Sequence, residues 1–74
     1  MQIKIRLIGA LRIDRFKEQG GEYKAGTVVK EIVHQLDILE RALGIILING
    51  QHARIDDTLK DGDTVALLPI LGGG

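Results

Sequence analysis

Three glycines, Gly72, Gly73 and Gly74, stand last in this sequence and offer the chain's most distinctive chemistry. Glycine has no Cβ, so a run of it can enter a channel too narrow for side chains. Five residues beyond Pro69, fully extended, reach about 17 Å, enough to place a carboxylate inside a partner's active site. The competing reading of such a run is a frayed terminus. The other candidates are weaker. His34 and His52 are eighteen residues apart on different elements and no Cys accompanies them, so a metal site is not expected. Asp56-Asp57 and Asp61-Gly62-Asp63 carry acidic oxygens, but the distal Glu of a calcium loop is missing and turn chemistry accounts for them. Phosphate-cradling glycine patterns are absent.

The rest of the composition narrows the choice. The 74 residues contain no Cys, no Ser and no Trp, which removes most side-chain nucleophiles and any disulfide framework. A chain this short builds at most one hydrophobic core. Ten basic and ten acidic residues give zero formal charge, without the footprint of a protein that lives on nucleic acid or on an anionic membrane. The charge is uneven along the chain: residues 1–36 hold seven bases and four acids, residues 37–74 three bases and six acids. A solvated face explains this, and so would a polarised docking surface. No apolar run has the length of a membrane span, and Met1 leads into a charged alternating segment instead of a signal sequence, so a cytoplasmic protein is expected.

The elements that must carry the glycine run follow from periodicity. Ile3, Ile5 and Leu7 alternate with Gln2, Lys4, Arg6 and Ile8, which predicts a half-buried strand over 2–8. A connection follows to Gly21, and Glu22 to Lys24 reads as a short strand paired with the first. Val28, Val29, Ile32, Val33 and Leu36 have helical spacing, with Thr27 as the expected N-cap. Glu31 falls one residue late for a capping box from Thr27. Leu39 and Leu43 extend the stripe toward a stop at Gly44, unless Asp37 divides it. The apolar run 45–48 and Asn49-Gly50 predict a hairpin returning over 51–55, and 64–68 is a last strand ended by Pro69. An α+β domain over 1–69 is expected, with a mixed sheet of four to five strands on one main helix and a flexible tail over 70–74.

These residues resemble a known family. Ile8-Gly9-Ala10-Leu11-Arg12, Asn49-Gly50, and the stretch from Asp61-Gly62-Asp63 through Leu68-Pro69 to the three glycines are similar to the small subunit of molybdopterin synthase and related sulfur carriers. The resemblance implies the ubiquitin-like β-grasp fold. It also implies that Gly74 is adenylated by an enzyme akin to the ubiquitin activators and converted to a thiocarboxylate, with Gly72 and Gly73 as the slim approach. ATP and magnesium would then belong to the activating partner, with no cofactor on this chain. The acceptor would be a molybdopterin-synthase large subunit or its equivalent, and the chain would be a carrier or small subunit instead of a stand-alone catalyst. Pro69 is followed by Ile70 where that type has a second proline, and the triple-glycine end is closer to thiamine-pathway carriers. A thiamine-pathway carrier, a ubiquitin-like protein modifier and a non-covalent β-grasp binding module are the alternatives.

Strand alternation also predicts a docking face. With Ile3, Ile5, Leu7, Val65 and Leu67 turned to the helix, Ile8, His52 and Leu68 point to the open side, with Arg6 and Arg54 at its rim. These five residues are expected to meet both partner enzymes. The competing reading takes Ile8 and Leu68 as scattered surface hydrophobes.

Overall fold

The computed structural model describes residues 1–71. Its strands are β1 (Gln2–Leu7), β2 (Glu18–Glu22), β3 (Leu43–Ile48), β4 (Gln51–His52) and β5 (Thr64–Pro69), with one α-helix, α1 (Val29–Gln35). Short 3-10 turns span Gly9–Arg12 and Glu40–Ala42. The sheet order is β2-β1-β5-β3-β4, with β1 and β5 parallel at the centre and the other pairings antiparallel. One helix on a mixed five-stranded sheet is the ubiquitin-like β-grasp architecture.

The alternation in β1 produces this arrangement. Ile3, Ile5 and Leu7 are buried while Gln2, Lys4 and Arg6 are exposed. Val65 and Leu67 of β5 and Val29, Ile32 and Val33 of α1 meet them without solvent exposure. Each such side chain contributes about 1.5–3 kcal/mol on burial. The core is therefore a layer between α1 and the two central strands, and the opposite sheet face is left open.

The helix begins one residue later than its spacing suggests. Val28 is the N-cap, and the Thr27 hydroxyl donates instead to the Lys24 carbonyl at 2.7 Å. With the start shifted, Glu31 takes the third helical position and its carboxylate accepts from the Val28 amide at 3.0 Å. The helix then stops before the expected Gly44. Asp37 adopts φ 60°, the left-handed conformation that follows many helices. The amides of Asp37 and Ile38 donate back to the carbonyls of His34 and Val33, both at 3.0 Å. Arg15 reinforces this end by donating to the carbonyls of Leu36 and Asp37. Breaking the helical phase there buries Ile38 at 4% exposure and leaves Leu39 at 59%, reversing the expected stripe.

Two strands also differ from expectation. The partner of β1 is Glu18–Glu22, not 22–24, because its pairing comes from backbone bonds while its side chains are mostly exposed. The return from the hairpin ends at His52. Asn49 and Gly50 have φ 52° and 81°, as a two-residue turn of the primed type requires.

Candidate functional site

The root of the C-terminal segment is fixed by main-chain contacts. The Ile8 amide donates to the Leu67 carbonyl at 3.1 Å, and Pro69 lies opposite Leu43 at the end of the β3–β5 ladder. The Ile70 amide donates to the Ala42 carbonyl at 3.0 Å. Exposure then rises from 51% at Ile70 to 84% at Leu71. Gly72, Gly73 and Gly74, the reactive end expected from the sequence, lie outside the described residues.

Beside that exit lies the open sheet face. Residues in register share a face, so Glu18, Arg6, Ala66, Leu47 and His52 form one row across all five strands. The next row joins Ile45 to Leu68, and alternation along β1 brings Ile8 to the same side. Leu47, Ala66, Leu68 and Ile8 are half-buried, whereas Arg6, Ile45 and His52 are exposed. The fold therefore collects Arg6, Ile8, His52 and Leu68 on one surface. Arg6 approaches Glu18 at 3.5 Å, and Lys4 approaches the same carboxylate at 3.8 Å. Such exposed pairs contribute little stability and leave the guanidinium available at the rim.

Arg54 stands apart from this row. It follows the end of β4 and opens a turn in which its amide donates to the Asp57 carboxylate at 2.9 Å. The carbonyls of Ile55 and Asp57 accept from Lys30 and Val29, so the turn closes on the start of α1 instead of extending the sheet. In exchange the structure adds Ile45 and Leu47. The hairpin held the signal for Leu47: a two-residue Asn49-Gly50 turn sets Leu47 opposite His52 and thus on its face.

No other centre competes among the described residues. Among the described residues no group of three or more His, Asp or Glu is placed to hold a metal. His34 bonds Glu40 at 2.6 Å on the helix side of the molecule, away from His52. The Asp61 and Asp63 carboxylates are taken up by structural hydrogen bonds: Asp61 accepts from the Gln2 amide at 2.6 Å, and Asp63 accepts from the Lys60 amide within its turn and from the Asn49 side chain, both at 2.8 Å. No described helix is long and apolar enough to cross a membrane.

The model of the ThiS family matches residues 5–74. Among solved structures, SAMP1 from Haloferax volcanii is similar over 100% of both chains at 20% identity, with a TM-score of 0.76. A putative molybdopterin converting factor, subunit 1, from Pyrococcus furiosus is 23% identical over 93% of this chain and 97% of its own, with a TM-score of 0.77. A chain from the protein–protein complex of subunits 1 and 2 of the molybdopterin-converting factor from Helicobacter pylori is 23% identical over 100% of both, with a TM-score of 0.67. At these identities the solved structures establish the shared fold.

Proposed function

Because this chain belongs to the ThiS family, we propose that it is a sulfur carrier whose working group is the Gly74 carboxylate. The observation that carries the reading is the family match, which runs through the glycine end. It is supported by a fold that sends its last strand out beside an open, partly apolar sheet face. The absence of Cys and Ser from the sequence agrees with chemistry at a main-chain terminus.

The proposed steps balance simply. A carboxylate is a poor acyl donor, so an oxygen of Gly74 attacks the α-phosphorus of ATP on the partner, forming an acyl-adenylate and releasing pyrophosphate. A sulfur donor at the oxidation level of hydrosulfide then forms the C–S bond, AMP leaves with the bridging oxygen, and no electrons change hands. Each step needs groups supplied by the activating enzyme: the nucleotide, its magnesium and the sulfur source. This chain supplies the carboxylate, a side-chain-free approach through Gly72 and Gly73, and a docking face of Ile8, Ile45, Leu47, His52 and Leu68 with Arg6 at its edge.

The acceptor we favour is a molybdopterin-synthase large subunit. The Helicobacter pylori relative was determined in a complex of subunits 1 and 2, which supports that choice. The test is sulfur transfer from thiocarboxylated protein to the molybdopterin precursor in the presence of the large subunit. Transfer instead to a thiazole precursor, or amide formation on protein lysines, would assign the thiamine-pathway or modifier alternative. Deleting Gly73 and Gly74 should abolish AMP formation by the activating enzyme.

A further inference from the structure

We propose that Gly44 is a positioning residue that sets the direction in which the C-terminal segment leaves the domain. The inference rests on the reading of Gly74 as the reactive end. Leu43 pairs with Pro69 and Ile45 with Leu68, so Gly44 is the extra residue of a bulge in β3. A Cβ on Gly44 would stand 2.6 Å from the Pro69 carbonyl oxygen and 3.0 Å from the Ile70 Cα. These are main-chain atoms of the exit segment, which no rotamer change can move aside. Gly44 is not among the residues with positive φ, so a left-handed backbone is not what calls for glycine there. What the position demands is empty space.

The other described glycines sharpen the assignment. Gly20, Gly26, Gly50 and Gly62 have nothing within 4 Å of an added Cβ, Gly9 would make ordinary contact with the Pro69 ring, and Gly21 would meet the Tyr23 side chain. Gly44 alone among them touches the main chain of the tail root. Two residues before Gly44, the Ala42 carbonyl accepts from the Ile70 amide at 3.0 Å. The missing side chain therefore lets Pro69 and Ile70 lie flat against the bulge and reach that carbonyl. A methyl group there pushes the exit strand outward, breaks this bond and re-aims everything beyond it. The sheet-face docking residues stay where they are.

The consequence is a split between binding and turnover. Misplacing a reacting group costs about tenfold to a hundredfold in rate while leaving remote binding contacts intact. The experiment measures ATP–pyrophosphate exchange by the host's activating enzyme with wild type, Gly44→Ala, Gly20→Ala and a synthetic chain in which an ester replaces the Pro69–Ile70 amide. Amide exchange and the N–H orientation at residues 70 and 71 are followed by NMR without any partner. Gly44→Ala should keep KM within about twofold, lose about tenfold or more in kcat, and expose the Ile70 amide. The ester removes the pinning donor without adding bulk at the bulge and should give the same loss of kcat. Gly20→Ala, an identical change in open space, should match wild type. Unchanged kcat and unchanged Ile70 protection in Gly44→Ala would overturn the assignment. If Gly44→Ala does not fold, the ester chain decides on the same kcat and KM criteria. If a chain lacking Gly73 and Gly74 exchanges as wild type does, the carrier reading fails, and the NMR arm still decides whether Gly44 directs the exit.

Discussion

Asn49 donates through Nδ2 to the Asp63 carboxylate at 2.8 Å, tying the tip of the β3–β4 hairpin to the turn that launches β5. The same asparagine accepts from the Thr64 amide at 2.9 Å, and the second Asp63 oxygen accepts from the Lys60 amide. Asp63 is buried, and removing its oxygens loses both of these charge-assisted bonds at once. Asp63→Ala should lower stability by about 1–3 kcal/mol. Asp63→Asn, which keeps one acceptor, should lose less. Urea denaturation measures both, and a difference below the error of the method would contradict the account of this turn.

The open face makes a separable prediction. Leu47 lies between Ala66 and His52 at the centre of the proposed docking row. Leu47→Asp or Leu68→Asp should weaken binding to the activating enzyme about tenfold or more, as expected for a central interface side chain. The thermal transition should stay cooperative, because neither residue belongs to the buried core. Lys30→Asp on the helix side serves as a control and should leave affinity unchanged. Isothermal titration of the three variants distinguishes a docking face from scattered surface hydrophobes.

Tyr23 predicts an alkaline limit. Burial raises its phenol above the ordinary 10.0 because the charged phenolate is poorly solvated there. With the folded value above the unfolded one, the unfolded chain loses this proton first. The associated stability is full below pH 10.0 and is lost as pH rises through the folded value. Tyr23→Phe should remove that alkaline loss. As the only Tyr in a chain without Trp, Tyr23 can be titrated directly by tyrosinate absorbance, and a midpoint at or below the ordinary value would contradict the assignment.

Much of the fold was legible because one face of most elements is apolar. Alternation located β1 and β5, and the Asn49-Gly50 pair located the hairpin turn. What escaped was structure held by backbone atoms. The strand Glu18–Glu22 pairs through its main chain and presents no apolar alternation. The helix stop at Asp37 depends on one left-handed residue, which shifts the periodic pattern and exchanges the roles of Ile38 and Leu39. The docking row was half legible. Ile8, His52 and Leu68 followed from alternation, but the uniformly apolar 45–48 run hides its own faces until the hairpin register is applied. The apolar stripe makes Gly44 look like a helix stop, since nothing local reveals that Pro69 passes against it.

The central claim is that the chemistry resides in the Gly74 carboxylate, and intact-mass spectrometry tests it most directly. The full chain is incubated with the host's activating enzyme, ATP, magnesium and a hydrosulfide-level sulfur donor, then weighed whole and after proteolysis. The account predicts a mass gain equal to one oxygen replaced by sulfur, confined to the peptide that ends in Gly74 and absent when ATP is withheld. An unchanged mass with an activator that adenylates its own known carrier, or full sulfur transfer by a chain lacking Gly73 and Gly74, would contradict it.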